Sequence, residues 1–320
     1  LRAVRAYKDK HKILKMEGGY HGASDMVEVS VKPKLSDVGP LKKPNSVLED
    51  NSIPPNVLDN CVIAPFNETE ITKKIFLKNY NELAAVIVEP MQGSCGMIPA
   101  DKEYLQMLRE LTLKYDVPLI FDEVQSFRLA SGGAQEYYGV IPDITVFGKV
   151  IGGGYPVGAV GGKDPYMAVF SPFNEPHIGH SGTFNGNPVT MTAGYTTLQE
   201  LSQKDIERLN TLGEQFRYDL QTKIEAAGAH VQVVGIGSMG QIHLTPKKVR
   251  GWRDVATADM DLRGLFHLLL LTRGLFFSKR LMFNISTPMQ EQEIRSAAEK
   301  VAECFADIKP YLEEFYPELV

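Results

Sequence analysis

Short, mostly apolar runs ending in polar or glycine residues set the rhythm of the first two-thirds of the chain. Ile13 to Met16 runs into Glu17 and a glycine-rich turn, and Leu83 to Val88 stops at Glu89-Pro90. Val117 to Phe121 stops at Asp122, and Ile144 to Phe147 stops at Gly148-Lys149. Largely apolar runs of this length, with β-branched residues among them and no regular polar alternation, predict strands buried on both faces of a parallel sheet. Between them, Tyr104, Leu105, Leu108, Leu111 and Leu113 recur at helical spacing within Lys102 to Tyr115, which completes a strand–helix–strand unit. Val157 to Val160 adds a further short strand. From about Lys204 the texture changes. A long amphipathic helix is predicted to Ala227, strands over 231–234 and 240–244, a helix over 261–273, strands in GLFFS and RLMFNIS, and a closing helix over 290–312. Uneven alternation of this kind predicts a smaller α+β domain, so the division reads as 1–203 and 204–320. The stretch 26–60, rich in Pro, Lys, Ser and Asn and without a sustained period, is expected to be a mobile lid. LRAVRAYKDKHKI has helical amphipathicity but no N-cap residue, so the chain is expected to begin inside a helix, with an earlier part absent.

Composition narrows the function classes. The 320 residues are 43% hydrophobic, enough for a substantial core, and a net charge of −5 is spread without long like-charge blocks. That leaves no basic footprint for nucleic acid and no polybasic face for a membrane surface, and it directs attention to a small-molecule partner. Cys61, Cys95 and Cys304 show neither metal-ligand nor disulfide-framework spacing, which fits a reducing, cytoplasmic compartment. The longest uninterrupted apolar run in the helical pattern, Leu268 to Leu271, falls far short of the roughly 20 residues of a membrane span.

Asp122 and Lys149 bring chemistry into the picture. Parallel strand ends meet in a crevice at the carboxyl edge of the sheet, so an acid ending one strand and a lysine following another can share it. GKVIGGGYPVG lacks the residue order of a P-loop and the spacing of a dinucleotide-binding turn. A carboxylate at a buried strand end needs a cation, and a pyridinium nitrogen is one. Pyridoxal phosphate requires these two partners, a lysine amine for its aldehyde and an acid that keeps its ring nitrogen protonated. Glu123 is expected on the opposite strand face in a packing or hydrogen-bonding role. His177 and His180 read as solvated loop histidines, and Gly152, Gly153 and Gly154 as allowing close backbone approach.

The motifs YHG (20–22), VEP (88–90), FDEV (121–124), GKVIGGG followed by PVGA, and SGTFNGNP (181–188) together resemble the class III aminotransferases of the fold-type I pyridoxal phosphate enzymes. Within that family the nearest branch is that of glutamate-1-semialdehyde aminomutase, and the resemblance covers nearly the whole chain. It implies an α/β fold with a large, mostly parallel sheet flanked by helices, plus a smaller C-terminal α+β domain. It also implies pyridoxal 5'-phosphate as cofactor, a homodimer with shared active sites, and an amino donor and an oxo-acid acceptor as substrates. Residue by residue, Lys149 matches the lysine that binds the cofactor aldehyde and shuttles the proton, and Asp122 the acid paired with the ring nitrogen. Val124 and Tyr20 match the residues on the two ring faces, with His21 a lesser candidate beside Tyr20. Thr183 matches the threonine that reaches the cofactor phosphate from the neighbouring subunit, and Glu89 a site-wall acid. No metal ligand is implied.

Two departures qualify the resemblance. The family's Ser-Gly-Thr-Glu-Ala phosphate turn would precede the first residue here. Where aminomutases carry Ser-x-Phe-Glu, this chain has SKRLMFNIS, with Arg280 and no acid. That segment is similar to the β-phenylalanine aminotransferases, in which an arginine helps hold the substrate carboxylate. The implied activity is therefore amino transfer from an amino acid, β-amino acids included. The alternatives are a 2,1-aminomutase and, from a different class, a catalytically idle homologue or assembly-line domain that binds a partner.

Overall fold

The computed structural model describes residues 1–320. Packing divides the chain into two units, Leu1–Met91 with Ala100–Gln203, and Gln92–Pro99 with Lys204–Val320. The segment 92–99 thus packs with the second unit, whereas a single division at residue 203 assigns it to the first.

The first unit is built on a six-stranded sheet. Its strands are β1 (Lys12–Met16), β2 (Cys61–Ala64), β3 (Leu83–Val88), β4 (Leu119–Asp122), β5 (Ile144–Gly148) and β6 (Gly158–Gly162). They lie in the order β2-β1-β3-β4-β5-β6, the first five parallel and β6 antiparallel to β5. Every residue of β3 is buried, as its unbroken apolar run requires of a strand covered on both faces. The chain leaves β1 for β2 on one side and then returns to β3 on the other, so the strand order reverses at β1/β3 and opens a crevice at the carboxyl edge.

Helices cover this sheet. Helix α1 (Arg2–Lys8) contributes Val4 to a cluster with Ile13, Ala85, Ile87 and Ile120, and α2 (Thr69–Asn79) buries Thr72 and Phe76. Helix α3 (Lys102–Lys114) buries Tyr104, Leu105, Leu108 and Leu111, one face of a 3.6-residue period. Leu113, read as part of that face, is exposed, because the face turns past it to Thr112. The short α4 (Gly133–Tyr138) follows β4, and α5 (Pro188–Glu200) starts with Asn187 accepting from the amides of Val189 and Thr190.

The stretch expected as a mobile lid is irregular but packed. Val29, Ile53 and Val57 are buried with Cys61 and Ile63, Val29 forms an isolated bridge with Leu48, and the Ser30 amide donates to the Val47 carbonyl. Its scattered valines and isoleucine carry no period, yet they anchor it on the edge of the sheet, which removes the basis for a lid.

The second unit holds α6 (Gln203–Ala226, from its second residue onward) and a three-stranded antiparallel sheet. The strands are β7 (Gln232–Ile236), β8 (Met239–His243) and β9 (Met282–Asn284), with β8 in the centre. Helices α7 (Met260–Thr272) and α8 (Glu291–Phe315) complete it. GLFFS, expected as a strand, is irregular. The Gly274 and Leu275 amides donate back to the Leu271 and Leu270 carbonyls at the end of α7, and Ser278 enters a tight turn in which its amide donates to the Met282 carbonyl and its carbonyl accepts from the Leu281 amide, so both ends of the segment are committed to turns. No helix is long and apolar enough to cross a membrane.

Candidate active site

Four successive parallel strands of the first unit end at one edge, and each end carries a candidate residue. Strand β1 runs into the Gly18–Gly22 turn bearing Tyr20 and His21, β3 into Glu89, β4 ends on Asp122, and β5 into Lys149. Adjacency of β4 and β5, with Asp122 paired in register with Val146, puts the acid and the lysine on neighbouring strand ends.

Asp122 is almost fully buried. Its Oδ2 lies 2.9 Å from His21 Nδ1, and its Oδ1 accepts the Val124 amide at 3.1 Å. The His21 side chain is 2% exposed. Burial lowers its pKa, with the Asp122 hydrogen bond opposing, so the ring is held neutral. A neutral imidazole that donates Nδ1–H to a carboxylate keeps a lone pair on Nε2, and that buried atom has no hydrogen-bond partner. A carboxylate can accept about four hydrogen bonds, so two donors leave Asp122 with acceptor capacity.

Around this pair the other candidates fall unevenly. The Tyr20 amide donates to Oε1 of buried Glu89 at 2.9 Å, while the Tyr20 side chain is partly exposed. Val124 lies against Gly148, where an added Cβ would sit 3.2 Å from Val124 Cγ1, so the glycine lets this side chain close over the backbone next to Lys149. Lys149 is exposed and adopts φ 50, a left-handed conformation uncommon outside glycine, asparagine and aspartate that costs on the order of 1 kcal/mol or more. Thr183 stands exposed on the loop before α5. Arg280 belongs to the second unit, where Nη1 donates to the Ser94 carbonyl at 3.0 Å. Glu123 is fully buried and accepts from the Ala134 and Gln135 amides at the start of α4, an anchoring arrangement in which burial nonetheless raises its pKa.

A cavity of about 330 Å³ opens beside the Asp122–His21 pair, walled by Val27, Ile87, Ile120, Val146, Phe170 and His180. His180, read as a solvated loop histidine, borders this cavity with its ring 5.4 Å from that of Phe170, although it remains exposed. Sequence reasoning underrated His21, which takes the Asp122 carboxylate directly, and missed Lys15. Lys15 is fully buried in β1, and its ammonium donates to the carbonyls of Gly19 (2.7 Å) and Val29 (2.5 Å). A lysine inside the apolar ILKM run was the available signal, because a cation at a two-face-buried strand position needs a specific partner.

The class-III aminotransferase family model matches residues 1–280. A glutamate-1-semialdehyde 2,1-aminomutase of Methanosphaera stadtmanae is 38% identical over 279 residues, which are 87% of this chain and 63% of that protein. The chain therefore spans less than two-thirds of that relative's length. Among solved structures, an omega-transaminase from Sphaerobacter thermophilus matches with TM-score 0.90 and 39% identity, covering 96% of this chain and 71% of that one. A β-phenylalanine aminotransferase from Variovorax paradoxus matches with TM-score 0.82 and 30% identity over 98% of this chain and 67% of that one.

Proposed function

Since the chain belongs to the class-III aminotransferase family, we propose that it works as a pyridoxal phosphate enzyme moving an amino group between an amino acid and an oxo acid. The observation that carries this reading is the buried Asp122–His21 pair on the end of one strand, with Lys149 following the next. The donor set suits the cofactor, because Asp122 retains acceptor capacity for a ring N–H and the neighbouring strand end supplies a primary amine. When bound, pyridoxal phosphate supplies an aldehyde for that amine and a protonated ring that draws electron density from the substrate carbon.

The chain's own residues then have distinct tasks. Asp122 holds the proton on the ring nitrogen, and neutral His21, donating from Nδ1, keeps the carboxylate oriented. Lys149 would secure the cofactor through its amine and, once released, would serve as the base that takes the proton from the substrate carbon onto its own Nζ. Val124 and Tyr20 flank the ring. Thr183 of the partner subunit reaches the phosphate in a homodimer, Glu89 shapes the site wall, and Arg280 is assigned to the substrate carboxylate. Replacing Lys149 with Ala is expected to abolish both the yellow colour of the cofactor-loaded protein and its turnover. Survival of both overturns the assignment.

A second reading, the 2,1-aminomutase, draws support from the name of the 38% identical relative. An aminomutase keeps both amino positions on one substrate, so turnover without added oxo acid favours it, whereas strict dependence on a second oxo acid favours amino transfer. Absence of the acid found beside this position in aminomutases, with Arg280 in its neighbourhood, favours the transferase.

A further inference from the structure

Three of the five residues in the Gly18–Gly22 turn are glycine, and Gly18 and Gly22 adopt φ 82 and φ 88. Such a turn has little conformational preference of its own, yet it must deliver His21 to Asp122 within hydrogen-bond distance. The peptide group joining Gly19 to Tyr20 supplies the order. Its carbonyl accepts from the Lys15 ammonium at 2.7 Å, and its N–H donates to Glu89 Oε1 at 2.9 Å. One peptide plane is thus pinned at both ends by a buried cation and a buried anion from adjacent strands, one residue ahead of His21.

The same ammonium donates to the Val29 carbonyl at 2.5 Å, and the Gly18 amide donates to the Ser30 carbonyl, so the turn is fastened to the irregular segment behind it. Burial pulls the Lys15 pKa down to about 8, opposed by Cys61, Glu89 and Glu49. A cation carried at that desolvation cost within a buried strand is a specific device, since an apolar residue would pack there more cheaply.

We infer that Lys15 is a positioning residue of the site: by clamping the Gly19–Tyr20 peptide against Glu89, it sets the angle at which His21 meets Asp122. The inference concerns how the chain holds His21, and its bearing on catalysis rests on the function proposed above.

The test is a double-mutant cycle on the full chain with Lys15→Met, His21→Gln and the pair. Two readouts are followed, the His21 Nδ1–H resonance in the cofactor-free protein and the dissociation constant for pyridoxal 5'-phosphate. In the wild-type background, Lys15→Met is expected to remove or broaden the Nδ1–H resonance and weaken cofactor binding about tenfold, an effect of the size seen for coupled neighbours. In the His21→Gln background the same substitution is expected to change binding little. An unaltered Nδ1–H resonance, or the same loss of affinity in both backgrounds, overturns the proposal, because a merely structural lysine acts regardless of His21. If Lys15→Met does not fold, Lys15→Gln, which keeps an amide donor for one of the two carbonyls, goes through the same cycle with the same criteria. Wild-type protein that binds no pyridoxal phosphate, but whose Nδ1–H resonance still disappears on replacing Lys15, overturns the functional reading and supports the positioning role.

Discussion

Asp122 and Asp143 have the same side chain and the same 6% exposure, and they sit at opposite edges of one sheet. Asp143 immediately precedes β5 and is saturated. It accepts from Arg109 Nη1 at 2.7 Å and Nη2 at 3.3 Å, from Lys163 Nζ at 2.6 Å, and from the Leu119 amide at 2.9 Å. Burial raises its carboxyl pKa, but the Arg109, Leu119 and Lys163 hydrogen bonds outweigh that and hold it below the usual aspartate value. Asp122 ends β4 and has one neutral imidazole and one amide. The cavities differ in the same sense. The one beside Asp143 is the larger, about 430 Å³ against about 330 Å³, yet its charges are spent on one another, Lys8 with Asp116 and both other cations with Asp143. Cavity volume therefore does not distinguish the two sites, whereas hydrogen-bond saturation does, because only a buried charge with acceptor capacity in reserve can take up a ligand without first breaking an internal pair.

The comparison breaks most readily by swapping the two acids' fates. Asp122→Asn is expected to lower amino transfer by about 10²–10³-fold while leaving the unfolding midpoint nearly unchanged, measured by steady-state kinetics and denaturant titration. Asp143→Asn should do the reverse. Stranding the partly buried Arg109 guanidinium should cost about 3 kcal/mol of stability with turnover per folded molecule preserved. A kinetic collapse in Asp143→Asn, or an unfolded Asp122→Asn, would erase the distinction.

Acid sensitivity sharpens it. Asp143 has a folded pKa below its ordinary 3.8, so its stabilising contribution is complete above that value and is lost as pH falls through the folded one. Asp143→Asn should flatten the stability curve below about pH 4 relative to wild type. In the second unit, His243 provides a control at higher pH. Burial lowers it from 6.5 to about 4, with its Nε2 against the Gly96 carbonyl, so only the unfolded chain gains its proton between those values. Stability should fall by on the order of 3 kcal/mol as pH drops through that window, and His243→Gln should remove the slope. The smallest effect is expected for Lys163→Met. Its side chain is 52% exposed and Arg109 remains on Asp143, so the loss should stay within about 1 kcal/mol in thermal or chemical denaturation.

Much of the first unit was legible in the sequence for a local reason. A strand buried on both faces is apolar along most of its length, so Leu83–Val88 and the runs into Asp122 and Lys149 announce themselves, and the polar residue that stops each run marks the sheet edge. The excursion of 92–99 into the second unit and the packing of the irregular stretch near Val29 were not legible, because neither has a period for its burial to follow. His21 was underrated and Lys15 overlooked on the same grounds, since each takes its meaning from a partner distant in the chain: Asp122 for one, and the Val29 carbonyl and the Glu89-held peptide for the other.

By itself, then, the sequence determined which residue types stand at the strand ends and, through the motifs they form, the family resemblance. Only the tertiary structure decided which of two equally buried aspartates keeps acceptor capacity in reserve. Hydrogen-bond saturation is a property of groups brought together from separate elements, and neither Arg109 and Lys163 converging on Asp143 nor His21 reaching Asp122 leaves a trace in the local pattern around either acid.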